Sequence, residues 1–168
     1  MSILKKTSDF LDKVCKALLI LAISVLIIVM TAQIIARAFL NTGISWADGM
    51  ARYMLIWSTF LGAACAMKEY SHITLTFVQD KLKGAALKWY SFVIGLLVLG
   101  FVVFMCYIGI MVVQHVAPQK ADSVAISVAF IYAAIPFAHI VMVVHLLVRF
   151  LELLQTGQMT VKEDQGLL

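Results

Sequence analysis

Four long stretches of apolar residues, each bounded by charge, dominate the pattern of this chain. Residues 17–36 carry no charged side chain between Lys16 and Arg37. A second run follows Arg52 and ends at Met67, a third lies between Lys88 and His115, and a fourth covers 123–148, interrupted only by His139 and His145. A bilayer-spanning helix needs roughly 20 apolar residues. The first, third and fourth runs satisfy this alone. The second does so only if its helix begins near Trp46, which sets Asp48 and Arg52 at the membrane boundary. The expected spans are 17–38, 46–67, 89–114 and 123–149, within one domain of residues 1–154, followed by a polar tail at 155–168.

The segments between the runs carry turn and surface signals. Residues 2–16 are amphipathic, with Ile3, Phe10, Leu11, Val14 and Leu18 on one side. They either lie on the membrane surface or run straight into the first span. Asn41, Thr42 and Gly43 mark a turn. Ser45 stands where an N-cap would be, with Asp48 three residues on. Residues 72–83 alternate like a strand, but a lone strand at a membrane surface leaves its backbone groups unpaired, so a short interfacial helix is expected. Pro136 lacks the N–H that would reach the carbonyl of Tyr132, so a kink is expected there.

On the second helix, at about 100° per residue, Asp48, Arg52, Leu55, Thr59, Gly62 and Ala66 share one narrow stripe. Trp46, Met50, Tyr53, Met54, Trp57, Leu61 and Ala64 fall opposite. A helix with two unlike faces has two unlike neighbours. In one arrangement the small stripe packs internally, as do the alanines at 32 and 36 and at 125, 129 and 133, while the bulky face meets a partner or lipid; the sequence leaves open which face does which. Asp48 and Arg52, four apart, are placed to neutralise each other; otherwise Arg52 snorkels and anchors the helix end, or meets a partner.

Composition fixes the class. The chain is 63% hydrophobic and 13% charged, with a mean hydropathy of +1.01, a balance that a polytopic membrane protein requires and a soluble domain does not tolerate. The fold class is therefore all-α: a polytopic membrane protein of four transmembrane helices with an interfacial connector between the second and third. Lys5, Lys6, Lys13, Lys16, Lys68, Lys81, Lys83, Lys88, Arg149 and Lys162 fall on one side, against Arg37, Arg52 and Lys120 on the other. The positive-inside rule then places both termini in the cytoplasm. The basic excess is topological, and no basic stripe with exposed aromatics suggests nucleic acid. Ala36-Arg37-Ala38 resembles a signal-peptidase site, but the apolar run is too long, and Asp9 and Asp12 sit where a positive n-region would be.

Little catalytic chemistry is visible. Cys15, Cys65 and Cys106 have no metal spacing and read as small packing residues. His139 and His145 are six apart, about 240° around a helix, so they cannot share a haem face. Hydrogen-bonded or interfacial histidines are the expectation. No Ser-His-Asp, HExxH or CxxC set appears, so an enzyme is not expected, nor a cofactor or metal in this chain. An ion-coupled transporter shows ionisable residues at depth or paired broken helices; here no Asp or Glu lies in an apolar core, and helix four alone carries a Pro.

The 45–77 segment resembles the small membrane subunit, DctQ-like, of tripartite ATP-independent periplasmic (TRAP) transporters. The resemblance rests on Trp46, Asp48, Arg52, Tyr53, Trp57, Leu61-Gly62, Lys68 and His72. A second, weaker match is Tyr132 with Pro136 in the last helix. Two positions depart from the family pattern: Gly49 where a second acid is usual, and Thr76 where an Asp often follows the His.

The resemblance implies an accessory role in a bacterial or archaeal cytoplasmic membrane. Its expected partners are membrane lipids, a large DctM-like subunit that performs sodium-coupled translocation and binds the sodium, and a periplasmic binding protein that delivers an organic acid. Trp46, Asp48, Arg52, Tyr53, Trp57, Gly62, His72, Tyr132 and Pro136 become candidate partner-contact or helix-anchoring residues. The rival readings are an independent homo-oligomeric transporter and a haem-binding membrane anchor.

Overall fold

The computed structural model describes residues 2–70, 85–121, 124 and 126–156. They form five helices: α1 (Ser2–Leu40), α2 (Ala47–Tyr70), α3 (Ala85–Val116), α4 (Val128–Tyr132) and α5 (Ala134–Thr156). Four stretches are long and apolar enough to cross a membrane: Ile3–Leu40, Ala47–Lys68, Phe92–Val116 and Val128–Leu151. The connector expected at 72–83, together with His72, lies outside the described residues, as does the tail beyond Thr156.

The N-terminal segment does not bend away. It continues α1 for 39 residues, about 58 Å at 1.5 Å per residue, far beyond a hydrocarbon core of about 30 Å. The reason is visible along its buried side. Ser8, Asp12, Cys15, Ala22, Gln33 and Ala36 are buried, and Leu19, Leu26 and Val29 between them are half-buried. Their steps of four and three residues make one continuous packing seam. The apolar side of residues 2–16 is divided: Ile3 and Phe10 are exposed, while Leu11 is half-buried and packs against the core.

α1 ends at Asn41, whose φ of 51° is the left-handed cap that lets the chain reverse. After the reversal α2 packs along α1, α3 packs along α4 and α5, and α2 meets α5 in the middle. Cys15, Leu61, Ala64, Cys65, Val102, Ala138, Val141 and Met142 fill the space between the helices, so the core draws on every spanning helix. Cys15, Cys65 and Cys106 are free thiols, the first two buried in this core.

The fourth span is broken where Pro136 requires it. α4 stops at Tyr132, and α5 resumes at Ala134. The Ala133 N–H reaches the Ala129 carbonyl at 2.8 Å, and the Phe137 N–H reaches Ala133 at 3.2 Å, bracketing the missing bond. α3 crosses this break at Gly109, which is buried; a Cβ there would stand 2.8 Å from Ile135 Cγ2 and 3.2 Å from Pro136 N. A close approach of α3 to the broken span thus falls at a glycine. Of the alanines expected to serve this purpose, Ala36 is buried, Ala129 and Ala133 are half-buried, Ala32 is exposed, and Ala125 lies outside the described residues.

Candidate functional site

Polar side chains concentrate at the two ends of the bundle. At the α1–α2 turn, buried Gln33 accepts the Ile44 N–H through Oε1 at 2.8 Å, fixing the reversal. Arg37 on α1 donates from Nη2 to Asp48 Oδ2 on α2 at 3.0 Å, with both side chains more than half exposed. This corrects the expected pairing of Asp48 with Arg52. The acid is engaged by the preceding helix, and Arg52, exposed, makes no ion pair among the described residues. The α1–α2 reversal is tight, so the end of α1 delivers a guanidinium to the first turn of α2, where an acid is also favoured by the helix dipole. α2 itself begins at Ala47, whose N–H is taken by the Ile44 carbonyl at 3.0 Å.

At the opposite end, three helices meet around Lys68. Its Nζ lies 2.9 Å from Asp9 Oδ1, 3.4 Å from Asp12 Oδ2 and 3.4 Å from the Ser8 carbonyl. Lys16 also reaches Asp12, at 3.2 Å. Ser8 Oγ lies 2.7 Å from Nδ1 of His145 on α5, and both residues are buried. Asp12 Oδ1 and His145 Nε2 are buried without a hydrogen-bond partner among the described residues. The cluster ties α1 to α2 and α5. Nothing in the apolar spans announced it. The available signal was register: Ser8 and Asp12 fall on the same seam as Cys15, Ala22 and Ala36.

The bulky face of α2 is the inner one. Asp48, Arg52, Leu55, Thr59 and Ala66 are exposed and Gly62 is half-buried, whereas Leu61 and Ala64 are buried and Met50, Tyr53, Met54 and Trp57 half-buried. The inward seam is Ala47, Ala51, Ser58, Leu61 and Cys65, with half-buried Met54 between Ala51 and Ser58, again stepping by three and four. Between helices in a membrane, side chains pack by shape, because lipid tails are as apolar as leucine and do not drive bulky residues inward or outward. The bulky residues lie inward because α4 and α5 offer them a surface. Trp57 packs against Phe130 and Phe137, with ring centroids 5.7 and 6.2 Å away, and Phe60 lies 6.0 Å from the His139 ring.

The other candidate residues fall in different places. Trp46 precedes α2 and is nearly half exposed. Tyr132 ends α4, half-buried. Pro136 packs against Gly109 instead of facing outward. Gly49, where a second acid is usual, is buried; a carboxylate there would need a buried partner. His139 and His145 are hydrogen-bonded as the sequence suggests, His139 through Nδ1 to the Ile135 carbonyl at 2.7 Å.

Comparison with known proteins finds relatives of one kind. A Haemophilus influenzae protein named as a TRAP transporter small permease protein is 30% identical over 79 residues, 47% of this chain and 49% of the relative. A second from the same organism, similarly named, is 24% identical over 129 residues, 77% of this chain and 78% of the relative. The sialic acid TRAP transporter small permease protein SiaQ of Vibrio cholerae is 30% identical over 79 residues, 47% of this chain and 46% of its own length. The match thus spans about half the length of two of these relatives and more of the third. The family model of the DctQ component of tripartite ATP-independent periplasmic transporters matches residues 26–156, from the middle of α1 to the end of α5, and the chain belongs to that family.

Proposed function

We propose that this chain is the accessory membrane subunit of a TRAP-type secondary transporter, a fixed scaffold for a large permease subunit. That permease performs sodium-coupled uptake of an organic acid handed over by a periplasmic binding protein. In this reading the α1–α2 turn is periplasmic and both termini are cytoplasmic, in agreement with the lysine-rich side of the chain. The sodium belongs to the large subunit, and this chain carries no catalytic role.

The observation that carries the reading is how the mid-depth interior is filled. Leu61, Ala64, Val102, Ala138, Val141 and Met142 close the space between the helices. The polar groups nearest mid-depth, Ser58 and His139, bond to carbonyls of their own helices, at Met54 and Ile135. The ionic groups described above sit at the two ends. Such an interior resists deformation and supports a moving neighbour.

The test is reconstitution into liposomes with an inward sodium gradient. The expected result is uptake of a carboxylate, with sialic acid tried first because the Vibrio relative is named for it. Uptake should require this chain, the large subunit and the binding protein together. Gradient-driven flux through this chain alone would overturn the reading. So would full-rate uptake by the large subunit and binding protein without it.

A further inference from the structure

The three helices that expose most surface differ in what they expose. α1 presents Ile20, Leu21, Ile27, Ile28, Ile34 and Ile35 outward, and α3 presents Leu96, Leu97, Phe101, Phe104, Tyr107 and Met111. These are the bulky side chains that lipid tails solvate well. α2 is different. Apart from Trp46, just ahead of it, Leu55 is its one large apolar side chain among the described exposed residues. The rest of its outward stripe is Asp48, Arg52, Thr59, Ala63 and Ala66. The Thr59 hydroxyl donates to the Leu55 carbonyl at 2.8 Å, so it needs no outside acceptor, and its small bulk, with Ala63 and Ala66, leaves a shallow surface. A second helix can approach such a surface closely.

Charge gives the second observation. Arg52 lies five residues inside the start of α2, roughly 7 Å along the axis. Asp48, one turn away, is already engaged by Arg37 at 3.0 Å. An ionisable side chain at such a depth marks a functional contact with an opposite charge unless it merely snorkels to the interface.

We propose that the outward face of α2 receives a transmembrane helix of the large permease subunit, and that this helix brings a carboxylate to Arg52 near its periplasmic end. The inference rests on the subunit reading above and adds to it the face and the chemistry of the partner. The small residues set how near the two helices lie. The Arg52–carboxylate pair sets their register, a role well suited to an ion pair shielded from water. The bulky faces of α1 and α3 are left to lipid.

The experiment uses membranes in which the tagged full chain is coexpressed with its large subunit. Benzoylphenylalanine replaces Leu55, Thr59 or Ala63 on α2, and Ile27 on α1 or Phe104 on α3 as controls. Before irradiation, recovery of the large subunit with the unsubstituted chain tests the subunit reading by itself. Its loss at that stage would sink both claims. With recovery intact, adducts to the large subunit from the α2 positions and lipid adducts from the controls are expected. Large-subunit adducts confined to α1 or α3 would overturn the face while leaving the subunit reading standing. So would α2 adducts made only to lipid or to a second copy of this chain. Arg52→Glu should lower recovery at least about tenfold, and Arg52→Lys should leave it within about threefold. Equal recovery with Arg52→Glu would overturn the proposed pair. Reversing the charge of the crosslinked helix's acid should restore recovery with Arg52→Glu.

Discussion

Gly109→Ala tests the crossing of α3 over the broken fourth span. A methyl group there meets Ile135 Cγ2 at 2.8 Å and the Pro136 ring and nitrogen at 3.2 Å. Neither neighbour yields easily. Cγ2 belongs to a β-branched side chain with restricted χ1, and the proline nitrogen is backbone. Overpacking of this kind costs about 1–3 kcal/mol, and two stiff neighbours put the expected value in the upper half. Helix propensity works the other way, favouring Ala over Gly by about 1 kcal/mol. Gly100→Ala removes that ambiguity, because it lies on the same helix and a Cβ there meets nothing within 4 Å. Subtracting one variant from the other cancels propensity and leaves the clash. The assay is unfolding of the detergent-purified chain by increasing sodium dodecyl sulfate, followed by tryptophan fluorescence. Gly109→Ala should be less stable than Gly100→Ala by about 2 kcal/mol, and adding Ile135→Ala should recover about 1 kcal/mol as a coupling term. Two equally stable variants would refute the close crossing.

Two further outcomes follow from the ends of the bundle. Removing one partner of a fully buried ion pair costs about 3–5 kcal/mol, and Lys68, a quarter exposed, should cost less, about 1–3 kcal/mol. Lys68→Ala should therefore loosen α1 and speed maleimide labelling of buried Cys15, read by peptide mass spectrometry; Asp12→Asn in the same chain should slow it again, and unchanged labelling would deny that the cluster holds α1. At the other end, Arg37 and Asp48 are more than half exposed, so their double-mutant coupling should be about 0.2–1 kcal/mol, whereas the cycle for Asp48 and Arg52 should show none.

How much was legible in the sequence depends on which physical rule each feature obeys. The spans follow from charge-free runs, because each charge in hydrocarbon is expensive. The reversal at Asn41 and the break before Pro136 follow from backbone geometry that those residues impose locally. The partner of Asp48 was not legible by the same means. Spacing of four on one helix pointed to Arg52, but a cation arrived from α1, eleven residues back in sequence. The Lys68 cluster was hidden for a related reason. Asp12 lies in an amphipathic segment whose charges suggest a water-facing side, although its steps to Cys15, Leu19 and Ala22 put it on the packing seam. Gly109 escaped because a single glycine has no periodic partner; only Pro136 on another helix explains it.

The two faces of α2 show where periodicity stops informing. A helical wheel correctly separates Asp48, Arg52, Thr59 and Ala66 from Trp57 and Leu61, and it names two environments. It cannot say which is inside, because in a membrane the outside is apolar too. The inside is chosen by complementarity: Trp57 and Phe60 find rings on α4 and α5, and Leu61, Ala64 and Cys65 share the core with Cys15 of α1. That choice leaves the polar stripe outward and puts Gly49 inward. An acid at 49 would then lie among packed helices, whereas Asp48, one residue earlier, reaches the open edge and Arg37. The glycine therefore removes a charge from the interior and leaves the outward stripe intact, so the surface offered to a neighbour is set by Arg52 and the small residues below it. Gly49→Glu should accordingly lower the stability of the chain alone while leaving the crosslinking pattern of its surviving folded fraction unchanged. A stable Gly49→Glu chain would show that the helix rolls, carrying its stripe to a different face.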